Sequence, residues 1–249
     1  MQGWTAVFVV GVFFIATLIR SALGFGEALV AVPLLALVLP VTVAAPVAVL
    51  MSITVAAAVV AQDWRHVHIG DALRLVAATV FGIPFGLLLL HLGSETLIKS
   101  ALGVIVAAFA LASIRGREGP HRLVDERFAW PFGFAAGVLG GAYGMNGPPL
   151  AMYGALRQWT PGRFRATLQG YFLPASAIGL LGYWIVGLWT RQVTTYYLES
   201  LPAAVVAIAL GRAVNRRFDA RRFFVYVQGG LVASGAALLL QTIIQRHSL

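Results

Sequence analysis

Apolar blocks of about 17 to 22 residues recur along the whole chain, separated by short connections that are charged or rich in glycine and proline. That length matches the roughly 20 residues a helix needs to cross a hydrocarbon core. No stretch between the blocks is long enough for a soluble domain. With 59% hydrophobic and 11% charged residues, the chain also lacks the polar surface to cover a water-soluble globule. The expected class is therefore an all-α polytopic membrane protein, embedded in a lipid bilayer. The first block, "MQGWTAVFVVGVFFIATLI", has no Lys or Arg before its apolar run and reads as a retained helix rather than a cleaved signal. The absence of cysteine excludes disulfides and thiolate chemistry.

The candidate segments are 4–22, 27–39, 42–61, 72–92, 96–114, 128–143, 147–157, 166–188, 194–211 and 223–244. Ten segments put both termini on one side, and every second connection then collects positive charge. Arg65, Arg74, Arg115, Arg117, Arg122, Arg127, Arg157, Arg163, Arg165, Arg212, Arg216, Arg217, Arg221 and Arg222 share one face, whereas only Lys99, Arg191 and Arg246 fall on the other. The positive-inside rule then predicts both termini outside. The net charge of +9 is spread over several connections without a recognition motif, so nucleic acid is not an expected partner.

Two segments are too short to span. "EALVAVPLLALVL" and "GPPLAMYGALR" reach about 17 to 20 Å against a core of about 30 Å. Each follows a glycine break, "SALGFGEALV" at 21–30 and "GGAYGMNGPPL" at 141–150, with Gly24 and Gly144 separated by 120 residues. Both halves run long segment, break, short segment, then three full spans. Five segments per half is an odd number, which predicts two inverted repeats, 1–114 and 128–249, joined by a charged cytoplasmic linker at 115–127. Each repeat would carry a broken or re-entrant helical hairpin, and the two hairpins would enter from opposite faces.

"NGPP" at 146–149 reads as a helix start, because proline lacks an N–H and fits the first helical turn. Asn146 is expected to cap this helix and line a site, while Gly144 and Gly147 allow the bend. Broken backbone at membrane depth is tolerated only inside protein or around a cavity. Two helix N-termini, near Gly26–Ala28 and Gly147–Pro149, would point free amides and positive dipole ends at one midplane site. Such a site suits an anion.

These residues resemble the TauE/SafE sulfite exporters, also called the 4-toluene sulfonate uptake permease family. The resemblance covers nearly the whole chain and rests on "GFGEALVAVPLL" at 24–35 and "GGAYGMNGPPLA" at 140–151. It implies transport of sulfur-containing anions such as sulfite and organosulfonates across the bacterial inner membrane, with other small anions or carboxylates as alternatives. Glu27 and Asn146 depart from the triple-glycine pattern common in the family.

Arg20 lies deep in the first block, where an uncompensated arginine costs about 2.5–3.5 kcal/mol on insertion scales. It is expected either to hold two oxygens of the anion in a guanidinium fork or to snorkel to the headgroups. Glu27 is expected either to couple transport to an ion or to pair with Arg20 and hold the hairpin shut. Gly24 and Gly26 would bring backbone amides to the substrate, and Tyr143 and Gln169 would supply polar groups to it or bond between helices. Gly133, Gly137 and Gly141, four residues apart, predict a close helix-packing face. Trp4, Trp64, Trp130, Trp184 and Trp189 near span ends suit an interfacial belt.

No nucleotide loop or nucleophile elbow is present in the sequence, and "HVH" at 66–68 has poor spacing for a metal. No enzyme activity, cofactor or metal is expected. The reading is a secondary transporter working by alternating access, with a proton or sodium as co-substrate, in a chain compatible with a homodimer. A non-transporting membrane anchor and an intramembrane lipid enzyme are the alternatives from other classes.

Overall fold

A computed structural model describes residues 2–63, 69–115 and 125–217, together with the single positions 236 and 240. The described regular structure is helical throughout: α1 (Gln2–Leu23), α2 (Glu27–Ala36), α3 (Val41–Asp63), α4 (Ile69–Leu92), α5 (Glu95–Arg115), a 3-10 turn (Glu126–Phe128), α6 (Ala129–Tyr143), α7 (Gly147–Leu156), α8 (Pro161–Ile185) and α9 (Arg191–Arg217). Four of these contain stretches long and apolar enough to cross a membrane, over Gly3–Ala22, Val41–Ala58, Gly70–Leu92 and Arg191–Gly211. The chain is a multi-pass membrane protein. The tenth expected segment, Trp64, the histidines at 66–68, and most of the charged linker lie outside the described residues.

Both short segments are short helices of 10 residues, and each starts at a glycine break. The largest shifts from the sequence reading are in α9, which runs from Arg191 to Arg217 rather than over 194–211, and in α8, which begins at Pro161 rather than near 166 and ends at Ile185 rather than 188. Thr160 caps it, accepting from the Arg163 N–H, and Pro161 occupies the first turn, where its missing donor costs nothing. Gly187, at φ 76°, turns the chain out of it.

Helix α4 packs most closely on α6, α1 on α9, and α3 on α8. The α4–α6 contact explains the glycine series. A Cβ on Gly133 would strike Ala78 and the Leu75 backbone, one on Gly137 would strike the backbone at Thr79 and Gly82, and one on Gly141 the backbone at Ile83 and Gly86. Helix α4 offers glycines of its own, since a Cβ on Gly82 or Gly86 would meet α6 backbone in return. Small residues on both sides let the two backbones touch, the usual basis of helix association where lipid is as apolar as leucine. Thr79 Oγ1 fastens the contact by donating to the Gly133 carbonyl at 2.8 Å.

Large apolar side chains point outward, among them Phe81, Phe85 and Leu92 on α4 and Val205 and Val206 on α9. In water such a surface would be costly; against acyl chains it is the expected exterior. Trp4, Trp130, Trp184 and Trp189 are also exposed.

Candidate functional site

Two chain reversals build the site. At the end of α1, Gly24 (φ 90°) and Gly26 (φ 100°) adopt left-handed backbone that only glycine enters without strain. The Gly24 N–H closes α1 on the Arg20 carbonyl at 2.6 Å, and the Val30 N–H opens α2 on the Gly26 carbonyl at 3.0 Å. At the end of α6, Gly144 (φ 66°) donates to the Gly140 carbonyl at 2.8 Å, and α7 starts three residues later. The two reversals face one another across a cavity of about 20 Å³. Gly26, Glu27, Ala28 and Leu29 line it from the first break, Gly144, Met145, Asn146 and Gly147 from the second, and Arg20, Ser52 and Phe172 from α1, α3 and α8.

Arg20 and Glu27 are both buried. Arg20 Nη1 donates to Glu27 Oε2 at 2.6 Å and to Ser52 Oγ at 2.8 Å, and Nη2 donates to Gln169 Oε1 at 3.0 Å. Its Nε is buried without a hydrogen-bond partner, and its guanidinium carbon stands 4.9 Å from the centre of the Phe172 ring. Such a cation over an aromatic face is favoured most where water is excluded. Glu27 occupies the first turn of α2, where the helix dipole favours a carboxylate. Its other oxygen, Oε1, accepts from Thr17 Oγ1 at 2.8 Å.

Gln169 joins the break to α8: its Nε2 donates to the Gly24 carbonyl at 2.7 Å while its Oε1 accepts from Arg20. Ser52 and Ser176 approach to 3.3 Å between α3 and α8. Gly24 and Gln169 thus touch the groups that line the cavity without lining it themselves.

Asn146 stands at the N-cap position of α7, but its side chain makes no capping bond. The reason is in the sequence that follows. An N-cap oxygen accepts from the second or third helical N–H, and those positions are Pro148 and Pro149, which have none. The amide instead donates from Nδ2 to Tyr171 Oη at 3.3 Å. Tyr171 in turn lies 2.7 Å from Thr79 Oγ1, whose proton is given to Gly133, so Tyr171 donates there. Asn146 is the cavity end of a buried polar chain that runs to the α4–α6 contact. Tyr143 is not among the residues lining the cavity; its hydroxyl donates to the Ile98 carbonyl of α5 at 3.1 Å.

Sequence reasoning missed Thr17, Ser52, Ser176 and Phe172. Thr17 stands one helical turn before Arg20, and Ser52 and Ser176 are hydroxyls in otherwise apolar runs, which is the signal that was available.

Charged residues gather at one end of the bundle. Arg163 of α8 pairs with Asp71 of α4 at 2.6 Å. Glu126 bridges Arg74 of α4 and Arg157 at the end of α7. No group of three or more His, Asp or Glu suited to a metal ion occurs among the described residues.

Comparison with known proteins follows the same lines. No solved structure matches the chain. A curated protein of Cupriavidus necator described as "Probable sulfite/organosulfonate exporter TauE" is 28% identical over 184 residues, covering 73% of this chain and 70% of that protein. The family profile described as "Sulfite exporter TauE/SafE" matches residues 9–238. The chain belongs to the sulfite exporter TauE/SafE family, whose members are membrane transporters and not enzymes.

Proposed function

We propose that this protein moves a small sulfur-containing oxyanion, sulfite or an organosulfonate, across the membrane by alternating access around the cavity between the two helix breaks. The observation that carries this reading is that a buried arginine and both breaks line one cavity. A guanidinium matches the paired oxygens of a sulfonate or sulfite group, and helix N-termini favour negative charge. The relative from Cupriavidus necator, described as "Probable sulfite/organosulfonate exporter TauE", supports the substrate class. Arg20, Asn146, Gly26 and Gly147 are the proposed contacts, with Gly24 and Gln169 holding Arg20 and the first break in place.

Depth and symmetry support the alternating-access part. Helices of 10 residues are about 15 Å long, half of a 30 Å core, so a tip at the start of α2 or α7 falls near the midplane. The packing partners exchange when the halves 1–114 and 128–249 are swapped: α1 lies on α9 as α6 lies on α4, with α3 against α8 between them. Such an exchange supports two related halves, and with an odd number of segments in each they would be inverted and could rock about a shared site.

The test is flux into proteoliposomes of sulfite, a C2 sulfonate and a C2 carboxylate, for wild type and Arg20→Ala. Sulfur-oxyanion flux that exceeds carboxylate flux and disappears in the variant supports the reading. Preference for the carboxylate reassigns the substrate, and flux of none of them favours a non-transporting anchor.

A further inference from the structure

We propose that Glu27 is an internal stand-in for the transported anion: the substrate takes over Arg20 only as Glu27 takes up a proton, so one monoanion and one proton cross together. The proposal rests on the reading of the cavity as an anion-transport site.

Charge balance in a buried site points to this exchange. Among the described residues, Arg20 and Glu27 are the two charged side chains lining the cavity. The other groups around them are neutral: Thr17 on α1, Ser52 on α3, Asn146 before α7, and Gln169 and Ser176 on α8. Among the described residues, one guanidinium therefore faces one carboxylate, with no second cation to hold a second anion. A substrate anion beside an ionised Glu27 would leave a net negative charge buried, and Arg20 with no anion would leave a positive one; both are strongly disfavoured away from water. Space points the same way. About 20 Å³ accommodates one or two waters, at roughly 10–15 Å³ each, not a sulfonate group beside the carboxylate.

The hydrogen bonds provide a place for the proton. Glu27 Oε2 occupies Arg20 Nη1, while Oε1 faces the Thr17 hydroxyl at 2.8 Å. A hydroxyl can donate or accept. With Glu27 ionised, Thr17 donates to Oε1; with a solvent-derived proton on Oε1, the hydroxyl turns and accepts from it. Oε2 then releases Nη1, whose freed N–H donates to a substrate oxygen in its place. The site is neutral before and after. Departure of the anion on the far side returns Arg20 to Glu27 and expels the proton there.

The experiment uses 2-hydroxyethanesulfonate, which stays ionised at every working pH, so that any pH effect belongs to the protein. Purified full-length protein in weakly buffered detergent solution should take up one proton for each sulfonate bound. Its Kd should rise about tenfold per pH unit wherever that proton must be acquired. In proteoliposomes, an acid outer pH should drive accumulation, and a potassium–valinomycin potential should not. Glu27→Gln should show a Kd independent of pH, no proton uptake and no accumulation on a pH gradient, while Glu27→Asp should retain the proton uptake. Sulfonate binding by wild type without proton uptake overturns the exchange and leaves the transport reading standing; so does pH-driven accumulation by Glu27→Gln. A wild type that neither binds nor carries sulfonate, sulfite or acetate removes the transport reading itself, and this proposal with it.

Discussion

Nη1 of Arg20 lies 2.6 Å from Oε2 of Glu27, across the reversal that joins α1 to α2, and both side chains are almost completely sequestered, at 3% and 1% exposure. The pair closes the first hairpin on itself and leaves one guanidinium nitrogen, Nε, buried without a partner.

Removing one partner of this pair strands the other. Arg20→Ala should destabilise the fold by about 3–5 kcal/mol, the cost of an uncompensated buried charge. Thermal unfolding in detergent measures this. Replacing both, as Arg20→Met with Glu27→Leu, should recover most of the lost stability while anion flux stays absent. A double variant that still carries the anion would show that Arg20 has no role as its ligand.

Gln169 holds Arg20 from one side and the Gly24 carbonyl from the other. Gln169→Leu removes a hydrogen bond to a charged group, worth about 1.5–3 kcal/mol, and should raise the substrate KM by about tenfold or more. Flux measured over a range of substrate concentrations separates this from a loss of folded protein, which lowers the maximal rate alone.

The two glycines of the second break should respond differently to alanine. Gly144 has φ 66°, and a Cβ there would lie 2.9 Å from Val49 Cγ2 and 3.1 Å from the Ala45 carbonyl oxygen. Gly144→Ala should lower the unfolding temperature through backbone strain of about 1–2 kcal/mol plus crowding. At Gly147 a Cβ would meet only Phe25 and Phe172, at 3.6 and 4.0 Å. Gly147→Ala should leave stability close to wild type but intrude on the cavity and reduce flux.

The α4–α6 seam should be the least tolerant part of the bundle. Gly137→Leu drives a side chain into the backbone at Thr79 and Gly82 and should abolish the folded, monodisperse protein in detergent. Gly179 of α8 has open space where its Cβ would stand, so Gly179→Ala should fold normally and gain up to about 1 kcal/mol from helix propensity. Size-exclusion profiles of the two variants make the comparison.

Reporters fused within 116–124 and after residue 249 should give opposite topology signals if the arginine-rich connections face the cytoplasm and the C-terminus the periplasm. Matching signals would overturn the ten-segment arrangement.

Much of this molecule is written locally. Helix existence, the two breaks, the short helices behind them and the pairing of Arg20 with Glu27 depend on residues within about two turns of one another, where apolar periodicity, glycine and proline act directly. The failure of Asn146 to cap α7, against the sequence expectation, also has a local cause, because Pro148 and Pro149 remove the donors a cap requires. The glycine face of α6 was visible as spacing, but its partner was not. Only the packed bundle brought α4, with Gly82 and Gly86, against it. The same is true of the site's far walls. Gln169 reaches Arg20 across 149 residues of sequence, and Ser52 meets Ser176 across 124. No local signal distinguishes such a polar side chain from any other hydroxyl or amide in an apolar run. Which helices touch is decided by the close packing of whole surfaces, and in a membrane that packing rests on shape and on satisfied polar groups. The sequence by itself determined that the chain crosses the membrane, where its helices break and which two charges lie close to the first break. The tertiary structure realised the shared cavity that the two breaks implied, and it alone decided which neutral groups surround Arg20 there.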